Sequence, residues 1–225
     1  MVVSEYQSFN INFTKQDRDY LTSNFRLAET IADLIGPHCE VVVHSFESFE
    51  HSVVKIVNGH HTGRKVGSPI TDMGLKMLSQ FEKTGDMTPK SYFTTARDGS
   101  QLKSTTCVLT GENEKPIGLF CININLSFPM ADILKTLVPD TTNLIPGTHE
   151  TFSASPKEVI ENAINKAIND VENDQKISLK GKNKAITKIL FNNGIFELKE
   201  ATTQVADQLG ITRHAIYKYI REFRA

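Results

Sequence analysis

Two groups of side chains in this sequence have the types and spacing to do chemistry. The first lies near the end of the chain, where Thr212, Arg213, His214, Tyr217, Lys218 and Arg221 would share one side of a helix. Hydroxyl, guanidinium, imidazole, phenol and ammonium groups arrayed in this way can hydrogen-bond to base edges and phosphates. Upstream, Thr202, Thr203 and Gln204 would begin a preceding helix, whose N-terminal end favours anions, and Lys182, Lys184 and Lys188 add charge for backbone contacts. The second group is NGHHTGRKVG, Asn58 to Gly67. Its glycines open backbone N–H groups while Arg64 and Lys65 bring positive charge, so a carboxylate could dock there. It lacks the Gly-Lys-Ser/Thr ending and the helix start of a phosphate-binding loop.

His44 closes an otherwise aliphatic run, CEVVVHSF, where a polar group needs a partner. In PIGLFCININLS, alternation puts Phe120, Ile122, Ile124 and Leu126 on one face and Leu119, Cys121, Asn123 and Asn125 on the other. The mixed face suits a pocket that orients a small polar molecule. With Ser104 on a neighbouring run, the candidate ligand contacts are His44, Asn58, Arg64, Ser104, Cys121 and Asn123. Tyr92 and Phe93 read as core. His38, Cys39, His44, His60 and His61 match no zinc spacing, and neither a metal nor a cofactor is expected. Cys121 with His44 could be drawn as nucleophile and base, but a thiol in an apolar strand is poorly accessible and its pKa is raised, so no enzyme is expected.

The elements that must carry the first group are legible in ATTQVADQLGITRHAIYKYIREFR. Val205 and Ala206 face a partner helix, Leu209 closes the first helix, Gly210 takes the tight turn and Ile211 plugs the corner. Thr212 caps the second helix, whose Ile216, Tyr219 and Ile220 form the core-facing stripe. Lys182 to Asn193 supplies a further helix ended by Gly194, and Ile195, Phe196 and Leu198 fill the small core beneath. From Lys180 to Ala225 there are nine basic and four acidic residues, net +5, whereas residues 1 to 179 hold sixteen basic and twenty-two acidic, net −6. A basic tail on an acidic body points to double-stranded DNA as the partner of the tail.

Before it, Ser155 and Glu158 form a capping box with Pro156 at the first helical position. Val159, Ile160, Ala163, Ile164, Ala167, Ile168 and Val171 then give a helix over about 155–172 one apolar side. That side either packs on its own domain or joins two copies, and a homodimer or higher homo-oligomer is expected because such DNA-binding units engage paired half-sites.

The earlier chain is an α+β unit. The first two dozen residues are polar and weakly patterned, and from Phe25 an apolar helix face runs to a stop at Gly36-Pro37. Strand-like runs follow at 39–46, 52–59, 91–96, 101–111 and 116–127, with a short helix around Met73 to Phe81. Five strands with helices between the second and third follow the plan of a PAS-type sensor, an antiparallel sheet with flanking helices. The words EVVVHSF, IVNGHHTGRKVG, GLFCININLS and GIFELKEATTQVADQLGITRHAIYKYI, in that order, resemble the YheO-like transcriptional regulators, the group that includes the D-arginine utilisation repressor. The resemblance implies a PAS-like domain joined to a C-terminal helix-turn-helix and, for some members, a small-molecule effector resembling an amino acid. The expected organisation is an N-terminal extension, 1–24; a PAS-like sensor, 25–128; a linker, 129–179, with a short helix near ADILKTL; and an all-α helix-turn-helix domain, 180–225.

No apolar run has the length of a membrane span and the N-terminus has no basic segment followed by an apolar one, so a cytoplasmic protein without signal peptide or anchor is expected. Cys39, Cys107 and Cys121, odd in number and set among apolar neighbours, read as free thiols. The competing class is a sensor or interaction module whose terminal helices bind a partner protein.

Overall fold

Helix α1, Lys15–Ile35, starts well before Phe25 because its signal is a capping box rather than an apolar stripe. The Asp17 N–H donates to Thr14 Oγ1 at 3.1 Å and the Thr14 N–H donates to the Asp17 carboxylate at 3.0 Å. Asp17 is fully buried and also accepts from Lys115 Nζ at 2.8 Å and Glu112 N at 3.0 Å. Lys115, with the backbone donors, holds its carboxyl well below the usual carboxylate range. The computed structural model describes residues 12–85, 91–138, 152–174 and 177–224. The first eleven residues of the expected extension, and Pro139, Pro146 and Gly147 of the expected linker, lie outside these. The chain divides into two compact units, Met1–Thr142 and Asn143–Ala225.

In the first unit β1 (Cys39–Ser45), β2 (Val53–Val57), β3 (Tyr92–Thr95), β4 (Gln101–Thr110) and β5 (Pro116–Asn125) form one antiparallel sheet in the order β2-β1-β5-β4-β3. Register then sorts side chains by face. Val41 opposite Ile122 and Val43 opposite Phe120 pack with Leu21, Ala28 and Ala32 of α1 into the core. Gly118 opposes Ser45, and a Cβ there would lie 2.0 Å from the His44 carbonyl oxygen, so the strands close only around a glycine. The opposite face carries Glu40, His44, Tyr92, Ser104, Thr106, Cys121 and Asn123, and α2 (Asp72–Thr84) lies over it, Gly74 packing beside Leu119. Thr71 Oγ1 caps α2 by accepting from Gly74 N at 3.1 Å. Phe93, expected in the core, points outward from β3 and is 69 % exposed. Helix α3, Met130–Leu137, follows β5, and its Thr136 packs on Gly36 at the end of α1.

The second unit is helical: α4 (Pro156–Asn173), α5 (Lys182–Asn192), α6 (Ala201–Leu209) and α7 (Arg213–Arg224). Ser155 caps α4, accepting from Glu158 N at 3.2 Å. The apolar side of α4 is buried against its own unit: Ile160, Ile164, Ala167 and Val171 share one core with Ile186, Leu190, Val205, Ala206, Ile216 and Ile220. Of the two roles open to that side in the sequence, the structure shows intramolecular packing, and α4 is a fourth helix sharing the core of the second unit. Helix α4 packs against α5 and α6 and adds a fourth wall to a core that a unit this small needs.

Candidate ligand pocket and nucleic-acid interface

A cavity of about 510 Å³ lies between the sheet and the segment running from Thr62 into α2. Antiparallel register explains who meets there. Tyr92, Ser104, Asn123 and Glu40 form one row across four strands, and Thr106 and Cys121 form the row beside it. His44, Arg64, Ser104, Cys121 and Asn123 all line the cavity, but Asn58 does not. Asn58 takes the left-handed conformation, φ 55°, and its amide donates to the Cys39 carbonyl at 2.7 Å, so it anchors the loop that carries Arg64. The lining also includes Thr106, whose hydroxyl the neighbouring run offers beside Ser104, and Tyr92, Asp72 and Arg97, which residue patterns alone did not select. Tyr92, expected in the core, is half-buried and its hydroxyl lies 3.2 Å from Thr106 Oγ1.

Polar satisfaction inside the cavity is uneven. His44 is buried; its Nδ1 lies 2.9 Å from Ser52 Oγ and its Nε2 lies 3.4 Å from Arg64 Nη1. Burial, then the Arg64 charge, pushes its pKa down to about 3, so the imidazole is neutral. Arg64 donates through Nη2 to the Pro69 carbonyl and, among the described residues, makes no ion pair. Desolvation lowers its pKa, the mark of a cation that would gain from an anionic neighbour. Ser104 is 2 % exposed and its hydroxyl has no hydrogen-bond partner among the described residues. Glu40, fully buried, accepts from Thr62 Oγ1 at 2.7 Å and Asn123 Nδ2 at 2.8 Å, which ties the covering loop to β5 through β1. Burial pushes the Cys121 thiol up to about 11, and its sulfur accepts from Thr106 Oγ1 at 3.4 Å. That leaves it a thiol at neutral pH, unsuited to attack.

In the second unit α6 and α7 meet at Gly210, whose φ of 64° is open to glycine without strain. Thr212 Oγ1 caps α7 by accepting from Ala215 N at 3.2 Å. Ile216 and Ile220 are buried, and Arg213, His214, Tyr217, Lys218 and Arg221 stand exposed on the other side with Thr212 at their head. Thr202, Thr203 and Gln204 lie in the first turn of α6 and are half-buried, with Gln204 Oε1 buried and without a partner among the described residues. Lys182 is half-buried and Lys188 exposed on α5. Lys184 bonds Glu222 Oε2 at 2.6 Å, bracing α5 to α7, so its charge is already answered within the unit.

This division into an antiparallel sheet with a covered polar face and a helix-turn-helix agrees with two family matches. Residues 14–139 match the YheO-like PAS domain and residues 160–221 an HTH domain. The chain belongs to the YheO-like family. The HTH match begins within α4, as its packing requires. A YheO-like PAS domain joined to an HTH domain makes this chain a DNA-binding transcriptional regulator rather than an enzyme. Protein YheO of Escherichia coli (strain K12) is 39 % identical over 213 residues, covering 95 % of this chain and 88 % of that protein. Transcriptional regulator DauR of Pseudomonas aeruginosa is 26 % identical over 211 residues, covering 92 % of this chain and 96 % of DauR. A PAS-domain crystal structure from Colwellia psychrerythraea aligns with a TM-score of 0.30 and 20 % identity, over 44 % of this chain and 93 % of that one. Among the described residues no helix is long and apolar enough to cross a membrane.

Proposed function

We propose that this regulator binds operator DNA sequence-specifically through α7, as a homodimer or higher homo-oligomer in the cytoplasm, and that a small carboxylate-bearing effector in the PAS cavity governs that binding. The observation that carries the ligand half is Arg64: a desolvated guanidinium without an ion-pair partner among the described residues, facing a cavity of about 510 Å³ beside the unpartnered Ser104 hydroxyl. An anion entering there answers a charge that the protein leaves open. The amino-acid class suits the mixture of acceptors and donors on the walls, Asn123, Thr106 and Tyr92 among them.

On the DNA side, Arg213 and His214, exposed at the start of α7, would contact base edges, and Thr212, Tyr217, Lys218 and Arg221 bases and phosphates. Thr202 and Thr203 in the first turn of α6, with Lys182 and Lys188, would contact phosphates. Since the apolar side of α4 is occupied, self-association must use another surface. Tyr20, Leu27 and Leu34, exposed at heptad spacing on α1, offer one.

Selection of bound genomic fragments by the purified protein tests the DNA half. Lys218→Ala and Arg221→Ala are each expected to lower affinity and reduce the salt slope by about one; an unchanged slope refutes the surface. For the cavity, amino acids that raise the Tm of the wild type are expected to leave Arg64→Ala unshifted, and equal shifts in both proteins would remove Arg64 from the site.

A further inference from the structure

Hydrogen-bond bookkeeping around His44 fixes which of its nitrogens carries the proton. The Ser52 hydroxyl donates to the Ser45 carbonyl at 3.0 Å, so its single proton is committed. At 2.9 Å from His44 Nδ1 the same oxygen must therefore accept, which places the imidazole proton on Nδ1. Nε2 is left as a lone-pair acceptor on the cavity wall. Among the described residues it is served only by Arg64 Nη1 at 3.4 Å, longer than a good N–H hydrogen bond. Side by side, the wall thus presents a guanidinium that lacks an anion and an imidazole nitrogen that lacks a close donor.

A carboxylate that engages the Arg64 fork competes for Nη1 and loosens the contact to Nε2. A buried acceptor left bare weakens binding, so the best ligand carries its own donor next to its carboxylate. An α-ammonium or α-hydroxyl group supplies that donor. An α-keto oxygen instead sets acceptor against acceptor, and an unsubstituted acid offers nothing. The ammonium is tolerated beside Arg64 because Asp72 lines the same cavity and makes no ion pair among the described residues.

We infer that the cavity selects α-amino and α-hydroxy acids over the matching keto and unsubstituted acids, with His44 as the specificity-determining residue. This rests on the reading of the cavity as a carboxylate site and adds the donor requirement to it.

The test is calorimetric titration of the full chain with matched series built on alanine, leucine, phenylalanine, glutamate and arginine, both enantiomers where they exist. Each series contains the amino, hydroxy, keto and unsubstituted acid, for example leucine, leucic acid, ketoleucine and isocaproic acid. In at least one series the two donor-bearing acids are expected to bind about tenfold or more tightly than the other two. In His44→Phe that gap should close, and in Arg64→Met all four should lose affinity. Ser52→Ala removes the acceptor that fixes the tautomer and should narrow the gap, a readout that stands should His44→Phe fail to fold. A keto or unsubstituted acid that binds as tightly as its amino counterpart overturns the donor rule while leaving the carboxylate site intact. So does a gap that survives in folded His44→Phe. If no acid in any series binds the wild type, the carboxylate reading itself fails and the donor rule falls with it.

Discussion

Ile164→Ala separates the two roles that the sequence leaves open for α4. Ile164 is fully buried among Leu190, Val205, Ile216 and their neighbours, so truncation removes core packing and leaves a cavity. Such a change costs about 2–5 kcal/mol. At ~0.05–0.15 kcal/mol per residue, a unit the length of Asn143–Ala225 has about 4–12 kcal/mol to lose. One substitution therefore leaves the helix-turn-helix marginal, and Ile160→Ala with Ile164→Ala should unfold it. Hydrogen exchange read on peptides from α7 is the direct assay, because α7 shares that core and lies far from Ile164 in sequence. Protection there should fall by roughly thirty- to several-thousand-fold, the factor that 2–5 kcal/mol sets at about 1.4 kcal/mol per decade. DNA affinity should fall with it. Lys166→Ala, on the exposed side of the same helix, should change neither by more than about 0.5 kcal/mol. If Ile164→Ala kept α7 protected and instead dissociated an oligomer in sedimentation, the apolar side of α4 would belong between two copies.

Two further outcomes follow from charge. His44 has a folded pKa of about 3 against an ordinary value of 6.5, so between those values the unfolded chain binds a proton that the folded chain refuses. Its contribution is complete above the unfolded value and is lost as pH falls from there toward 3. Denaturant unfolding of the first unit should therefore lose up to about 1.4 kcal/mol per pH unit below pH ~6, and His44→Phe should flatten that slope. Lys184→Ala should leave the salt dependence of DNA binding nearly unchanged, since Glu222 already neutralises Lys184; a loss as large as that of Lys218→Ala would place Lys184 on phosphate.

The helix-turn-helix was readable because its requirements are local. Gly210 must adopt positive φ, Thr212 must cap, and Ile216 and Ile220 must share a side; each is fixed within a few residues of chain. The sheet was readable for a similar reason, as alternation marks faces strand by strand. What alternation cannot give is register. Ser104 and Asn123 were found as isolated polar residues, but that they stand in one row with Tyr92 and Glu40 depends on pairing between β1, β5, β4 and β3. Tyr92 was placed in the core for that reason: without its cross-strand partner Ser104, nothing in its own segment distinguishes a cavity wall from an interior. Asn58 failed in the opposite way. Its composition-rich loop suggested ligand contact, yet its amide is used on the Cys39 carbonyl, and it is Thr62, Gly63 and Arg64 of that loop that reach the cavity.

The same distinction bears on how an effector could act. Arg64 lies on a loop pinned at two neighbouring side chains: Thr62 to Glu40, and His61 to the Pro37 carbonyl at 2.7 Å and to Asn125 at 3.1 Å. Asn125 ends β5, its Oδ1 accepts from Ser127 N at 2.9 Å, and α3 begins at Met130. A ligand that draws Arg64 inward therefore pulls on a loop pinned to the root of α3, rather than on a free surface segment. A coupling of ~1–3 kcal/mol, ordinary for such regulators, is the worth of one or two of these hydrogen bonds made in one state and not in the other. Under the proposed function, the pinned loop is the element of the first unit on which a bound effector would act, without any rearrangement of the sheet.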